Sequence, residues 1–257
     1  MRVALYHPWV YLRSGIERMF AEVVARSRHD WTIYTHRHEP ESTYPELAGA
    51  DIVELEPRVS VVRELVPIAR AAATIARASL PTTDHRALLV SSEGLGDLVL
   101  ARNRLPAVCY CHTPLKIVHD RETRAAVGTI SPVKRALTSV IGPAFTTVDR
   151  RMWRRYAHVL ANSAETARRI ETAGLAPPST VEVLHPGVDL ARFGAGEPKA
   201  RQPRFLVAGR IMWQKQIELA IDALALARAR GGTCELVVAG AVDVKRRPYL
   251  AQLRQRA

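Results

Sequence analysis

The sequence predicts an α/β fold in which parallel strands form a sheet with helices on both of its faces. Two observations support this prediction. Short apolar segments rich in β-branched residues alternate with segments of helical periodicity along most of the 257 residues, which is the pattern of a doubly wound sheet. In addition, 87–90 and 236–239 are uninterrupted apolar runs, as expected for strands that are covered on both sides.

The elements of the first domain follow one another in this alternation. Apolar runs predict seven strands, at 2–7, 31–36, 51–55, 87–92, 107–112, 158–162 and 181–185. Apolar side chains at helical spacing predict helices at 16–27, 61–78, 96–104, 132–156 and 164–173. Ser163 is suited to cap the last of these helices and Gly174 to end it.

A break in the pattern at 189–203 predicts an interdomain linker, because this segment lacks periodicity and contains two Gly and two Pro residues. The seven strands of 1–188 are enough for a complete Rossmann-like domain. Two strands and two helices follow in 204–257, the clearest elements being 205–208, 216–230 and 234–239. A domain of this class usually needs about 100 residues or more, so the second domain is predicted to be incomplete and the chain truncated.

The composition is that of a globular protein with an excess of basic residues. Hydrophobic residues make up 47% and charged residues 24%, which excludes disordered and fibrous classes. The chain has neither an apolar run near the roughly 20 residues of a membrane span nor a secretion signal, so a cytoplasmic protein is expected. The three cysteines lack the spacing of metal ligands, and no metal is expected.

The segment most indicative of function is 205–221, where an apolar strand leads into Gly209-Arg210, then Lys215 and an amphipathic helix. Helix N-termini at the carboxyl ends of parallel strands bind phosphate groups. Two cations at a helix start oppose the helix dipole, and an anionic ligand relieves that conflict. Arg210 and Lys215 are therefore candidate phosphate ligands, with solvated surface cations as the alternative.

Two further candidates follow strands of the first domain. Gly15 lies in the turn after the first strand, where a missing side chain lets a ligand approach the backbone. An ordinary turn glycine explains this position equally well. His112 ends a strand at the edge where ligands collect in this fold, although a structural histidine before Thr113-Pro114 is an equally good interpretation.

Five motifs in collinear order resemble family 4 of the retaining glycosyltransferases, enzymes with the two-domain GT-B architecture. They are Ser14-Gly15-Ile16-Glu17, His112-Thr113-Pro114-Leu115-Lys116, Asn162-Ser163-Ala164-Glu165-Thr166, Leu184-His185-Pro186-Gly187-Val188-Asp189, and Gly209-Arg210 with Lys215. The histidine motif is similar to one found in several mannosyltransferase and related branches. The resemblance implies a complete Rossmann-like N-terminal domain on the acceptor side and the first part of a Rossmann-like nucleotide-sugar-binding domain.

The resemblance also implies an activity. The enzyme would move a hexose, with mannose as the candidate sugar, from a nucleotide diphosphate sugar to a glycan or lipid-linked acceptor with retention. Gly15, Arg210 and Lys215 would bind the donor diphosphate, and His112 would take the catalytic position beside the transferred sugar. Gly187 and Asp189 would be hinge residues. No cofactor is implied beyond the donor substrate itself.

The chain departs from the family pattern at three points. Ser14 stands where the family usually has the first of two adjacent glycines, and Gln216 stands where a glycine usually follows the lysine. The family's pair of glutamates, which hold the sugar and the ribose, has no match and is expected beyond residue 257. Loss of such positioning costs orders of magnitude in rate, so the activity of this form is left open.

The net charge of +12 supports an alternative function, a catalytically silent basic module for a polyanion or a membrane surface. Arg150, Arg151, Arg154 and Arg155 lie at helical neighbours and are predicted to form one cationic face. Aromatic residues are only 6% of the chain, and no nucleic-acid recognition pattern occurs, so no nucleic-acid partner is expected. A transferase with this charge would lie peripherally at the inner face of a membrane.

Overall fold

The computed structural model describes residues 1–60, 65–120, 123, 132–193, 203–242 and 247–257, with the side chains of 65 and 132–141 left out. The described chain divides into two units, Met1–Asp189 and Leu190–Ala257. Residues 61–64 of a predicted helix and 194–202 of the predicted linker lie outside the described residues. Within the described part, no helix is long and apolar enough to cross a membrane.

The first unit is built on a parallel sheet of seven strands. In chain order the strands are β1 (Arg2–Tyr6), β2 (Asp30–Thr35), β3 (Asp51–Glu54), β4 (Ala87–Ser92), β5 (Ala107–Cys111), β6 (Tyr156–Ala161) and β7 (Val181–Val183). Their spatial order is β3-β2-β1-β4-β5-β6-β7, and every pair is parallel. The order reverses direction between β1 and β4. All seven strands stand where the apolar runs predict them, and the α/β prediction is confirmed.

Five helices accompany this sheet among the described residues: α1 (Gly15–Arg26), α2 (Leu65–Arg77), α3 (Lys116–His119), α4 (Pro132–Trp153) and α5 (Ala164–Thr172). Ser163 caps α5 as predicted, since its Oγ accepts a hydrogen bond from the Thr166 N–H at 3.2 Å. Gly174 follows α5 with a φ of 60°, a left-handed conformation that glycine adopts without strain.

The predicted helix at 96–104 is wrong in type and length, because the structure has a 3₁₀ helix at Gly96–Ala101. Its first five residues are all buried, so the segment lacks the exposed face that a surface α-helix needs. The Asn103 side chain donates to the carbonyls of Ala78 and Val99, at 2.9 and 2.7 Å. The bond to Val99 takes up a carbonyl near the end of this helix, and the bond to Ala78 joins Asn103 to the segment that follows α2.

The core of the first unit lies on both faces of the sheet. Its largest fully buried side chains include Trp153, Tyr6, Tyr34 and Phe20. Burying a side chain of this size stabilises the fold by about 1.5–3 kcal/mol. Cys109 and Cys111 are free and belong to the buried apolar core, where they pack as small hydrophobic residues.

The second unit has a parallel pair of strands, β8 (Arg204–Ala208) and β9 (Glu235–Ala239), with two helices, α6 (Ile217–Ala229) and α7 (Arg247–Arg256). A small apolar core lies on one face of this sheet, and its buried members are Ile211, Ile217, Ile221 and Leu253. On the opposite face, the paired residues Leu206 and Val237 are 63% and 38% exposed. No element of the second unit that the structure describes covers this second face.

Candidate functional site

The reversal of strand order between β1 and β4 locates the candidate site of the first unit. Doubly wound sheets bind ligands in the crevice that forms at the carboxyl ends of the strands where the order reverses. Three side chains meet at this edge, from His7 after β1, Ser91 at the end of β4 and His112 after β5. The sequence prediction identified only His112 among them.

His112 is held at this edge by its backbone and by its ring. Its N–H donates to the carbonyl of Ser92 at 2.9 Å, and its Nε2 lies 3.0 Å from Ser91 Oγ. Burial, with a smaller contribution from the charge of His7, lowers the pKa of His112 to about 3. The imidazole is therefore neutral at physiological pH, so it can take part in hydrogen bonds but carries no charge.

Gly15 is the first residue of α1, and Ser14 caps that helix through a hydrogen bond from the Ile16 N–H at 3.1 Å. The buried Glu17 supports this turn, because it accepts from the Leu12 N–H at 3.3 Å and hydrogen-bonds to the Ser14 hydroxyl. A Cβ placed on Gly15 meets no atom within 4 Å. Its backbone therefore faces open space, and packing within the protein does not require glycine here.

A buried acidic network lies beside this edge, and sequence reasoning missed it. Asp97 accepts hydrogen bonds from Ser92 Oγ at 2.7 Å and from the Tyr156 hydroxyl at 2.5 Å. Burial, reinforced by the negative charge of Asp149, raises the pKa of Asp97 to about 7. Asp149 in turn lies 2.7 Å from His119 Nε2. The available signal was a single acidic residue inside the apolar run at 95–100.

A shallow pocket follows the His112 loop and is lined by Thr113, Pro114, Lys116, His119, Asp120 and Arg169. The Arg169 guanidinium is already paired, since its Nε lies 2.8 Å from Glu165 Oε1. Burial raises the pKa of Asp120, but hydrogen bonds from Thr123 and the charges of Arg169 and Lys116 together outweigh it and lower the pKa. The pocket is therefore mixed in charge rather than cationic.

In the second unit, the carboxyl ends of β8 and β9 contact each other through glycine residues, whose backbone no side chain covers. Gly209 has a φ of 147°, and its N–H donates to the Ala239 carbonyl at 2.9 Å. A Cβ on Gly240 would lie only 1.7 Å from the Gly209 carbonyl oxygen. Glycine is thus required at position 240, because the backbone segments that follow β8 and β9 approach each other too closely for any side chain.

Arg210 and Lys215 stand at this glycine edge and are both exposed. Lys215 ends the 3₁₀ turn Trp213–Lys215, and its Cε is the atom nearest to a Cβ built on Gly209, at 3.8 Å. Neither cation forms an ion pair with any residue that the structure describes. By contrast, Arg204 at the opposite end of β8 pairs with Glu235 at 2.9 Å.

Gln216 connects this turn to α6 in a left-handed conformation, with φ 47° and ψ 46°. It is the only non-glycine residue of the described chain with a positive φ. Such a conformation costs roughly 1–2 kcal/mol for a residue with a side chain. Gln216 thus holds the backbone conformation that a glycine after the lysine would adopt without strain.

The two candidate hinge residues lie at the end of the first unit. Gly187 faces open space, since a Cβ there meets no atom within 4 Å. The carboxylate of Asp189 lies 3.2 Å from the Arg26 guanidinium at the end of α1. The hinge role of these residues stays a prediction.

The predicted cationic face of α4 is only partly available. Arg150 donates to the Ala173 carbonyl at 2.9 Å, and Arg155 donates to the Asn103 carbonyl at 2.7 Å. These two guanidinium groups join α4 and the turn after it to neighbouring segments, although all four arginines are exposed. The prediction that all four arginines lie on one helical face is corrected, because α4 ends at Trp153 and Arg154 and Arg155 follow it in a turn.

Comparisons with known proteins identify similar structures and a protein family. The chain is similar in structure to Anabaena Alr3699/HepE in complex with UDP (TM-score 0.62, 14% identity), covering 100% of this chain and 65% of HepE. It also resembles a glycosyltransferase from Rickettsia africae (TM-score 0.57, 13% identity; 99% and 64% covered). A third match is UDP-GlcNAc 2-epimerase from Neisseria meningitidis bound to UDP-GlcNAc (TM-score 0.52, 11% identity; 100% and 71% covered).

These identities establish the fold alone, and the epimerase shows that the fold is not restricted to transferases. The chain spans less than two thirds of the HepE chain. A search of curated proteins finds no significant match. The family profile of Glycosyltransferase Family 4 matches residues 15–192, which is more than half of the chain and includes three of the five motifs in full and all but Ser14 of a fourth. The chain belongs to glycosyltransferase family 4.

Proposed function

We propose that the protein works as, or within, a retaining glycosyltransferase that moves a hexose from a nucleotide diphosphate sugar to a glycan or lipid-linked acceptor, with mannose as the candidate sugar. One observation carries this proposal. Arg210 and Lys215 are exposed and unpaired among the described residues, at a strand edge where Gly209 and Gly240 leave the backbone bare. The family membership gives this edge its ligand class, a nucleotide diphosphate.

The chemistry of sugar transfer suits two such cations. As the bond between the sugar and the nucleotide breaks, negative charge grows on the departing diphosphate, and fixed positive charges stabilise it. A hydrogen bond to a charged group contributes about 1.5–3 kcal/mol, so each side chain is expected to account for roughly ten- to hundredfold in donor affinity or rate. Gly15 would let the diphosphate approach the backbone at the N-terminus of α1, and His112 would orient the sugar.

The test is a titration of the protein with UDP, GDP and ADP by calorimetry. At least one nucleotide should bind, and Arg210→Ala and Lys215→Ala should each weaken its binding at least tenfold. Arg204→Ala is the matched control, since it removes the same charge from the other end of β8, where Glu235 already neutralises it. Equal losses in all three variants, or no binding of any nucleotide, would count against the proposal.

A second candidate function is the attachment of a basic surface to polyanions or to the inner face of a membrane, as a peripheral protein. The net charge of +12 and the exposed Arg151 and Arg154 favour it. Such attachment weakens steeply with salt. Binding to anionic vesicles at low salt, by a protein that binds none of the three nucleotides, would favour this candidate as a catalytically silent module.

A further inference from the structure

Three buried or half-buried side chains link the strands at the reversal of the first sheet. His7 Nδ1 lies 3.0 Å from the Ser91 carbonyl oxygen, and Ser91 Oγ lies 3.0 Å from His112 Nε2. His7 is 3% exposed and Ser91 is fully buried. The links join β1 to β4 and β4 to β5 at their carboxyl ends. They therefore fix the position of the His112 ring through its Nε2 atom, on the buried side of the ring.

The direction of each hydrogen bond follows from what its groups can donate. A carbonyl oxygen only accepts, so His7 Nδ1 carries a proton. The Ser91 hydroxyl has one hydrogen, and among the described residues its only partner is His112 Nε2. If Nε2 carried the proton instead, the hydroxyl hydrogen of a buried residue would have no acceptor, which is unfavourable. The hydroxyl therefore donates to Nε2.

This direction determines where the single proton of a neutral His112 lies. With Nε2 occupied as an acceptor, the proton is on Nδ1. Nδ1 makes no hydrogen bond with a described residue, and His112 is only partly buried. The low pKa of His112 keeps the ring from taking a second proton.

We propose that Ser91 is a positioning residue that holds His112 as the Nδ1–H tautomer, so that the ring offers a hydrogen-bond donor to an oxygen of the bound nucleotide sugar. The ligand in this statement rests on the proposed function, whereas the tautomer does not. With its one proton held at Nδ1, His112 donates to a hydroxyl oxygen of the sugar and does not act as a general base there.

The tautomer is tested by ¹⁵N NMR of the histidine-labelled protein, with His112 assigned by its loss in His112→Gln. In the unsubstituted protein, Nδ1 should be protonated and Nε2 should show the shift of a hydrogen-bond acceptor. In Ser91→Ala, the proton should move largely to Nε2, which a free neutral imidazole prefers. Ser92→Ala is the matched control, because it removes the neighbouring buried hydroxyl, which bonds to Asp97 instead.

An Nε2–H tautomer in the unsubstituted protein would overturn the proposal, and this measurement needs no variant to fold. The same tautomer in Ser91→Ala as in the unsubstituted protein would overturn it as well.

Ligand binding is the second test, with UDP-glucose and UDP as probes. Ser91→Ala should weaken UDP-glucose about five- to tenfold and leave UDP unchanged. If neither probe binds any variant but the tautomer shifts as expected, the proposed function fails and the role of Ser91 stands.

Discussion

The two units hold their candidate ligand-binding groups in different ways. In the first, the carboxyl edge is formed by strands with neighbours on both sides, and His112 is fixed by a buried hydroxyl and by a backbone hydrogen bond. In the second, no described element of the unit covers one face of the two-stranded sheet, and Arg210 and Lys215 lie in the loop and the 3₁₀ turn that follow β8. Burial thus orients a neutral group in one unit, and backbone conformation presents free charges in the other.

This difference has a physical logic. Buried groups lose their charge when no partner compensates it, as the low pKa of His112 and the raised pKa of Asp97 show. A cation that must meet a phosphate has to stay charged, so an exposed turn suits it better than a buried site. The comparison predicts that substitutions in the first unit act mainly through burial and protonation, and those in the second mainly through backbone geometry.

The largest expected effect is that of Gly240→Ala in the second unit. The added Cβ would lie 1.7 Å from the Gly209 carbonyl oxygen, so β8 and β9 would have to separate. We expect a loss of at least about 3 kcal/mol of local stability, measured as faster amide hydrogen exchange in β9. Exchange in β4 of the first unit should change little.

Gly187→Ala is the control for this substitution, because a Cβ there meets no atom within 4 Å. It should change stability by less than about 0.5 kcal/mol. Equal exchange rates in β9 for Gly240→Ala and the unsubstituted protein would show that the close approach of the two glycines does not hold this edge together.

An effect that is smaller per pH unit is expected from Asp97→Asn in the first unit. The pKa of Asp97 is about 7 in the folded protein against a usual value of 3.8, so between these values the folded state holds a proton that the unfolded chain has lost. Stability should therefore fall as pH rises through this window, by on the order of 1 kcal/mol per pH unit. Asn cannot ionise, so the variant should lose this slope in urea unfolding between pH 4 and pH 8.

Asp222→Asn in the second unit sharpens the same comparison. Asp222 is exposed, and its pKa is lowered by the hydrogen bond from Arg256. An exposed ion pair contributes little to stability, so this variant should keep the pH slope of the unsubstituted protein. A pH slope that survives in Asp97→Asn would mean that another buried group, such as Asp149, carries it.

The contrast between the units also explains what the sequence could predict. The strands were predictable because each is a short segment rich in apolar residues, and 87–90 and 236–239 are unbroken apolar runs. The contact between Ser91 and His112 was not, since it depends on the pairing of β4 with β5 across more than twenty residues. Arg210 and Lys215 were visible as charges after a strand. Their lack of partners among the described residues depends on packing, which no local pattern encodes.

The smallest expected effect concerns the turn that carries Lys215. Gln216 has a φ of 47°, and its side chain makes no capping hydrogen bond to α6. Gln216→Gly relieves the strain of this conformation but gives the unfolded chain more freedom, so a net gain of about 0.5–1 kcal/mol is expected in thermal or urea unfolding. Gln216→Ala keeps the strain and should show no gain. Because the backbone shape is unchanged, nucleotide affinity should stay within about twofold in both variants. A less stable glycine variant would mean that the glutamine side chain, and not the backbone, sets the direction of this turn.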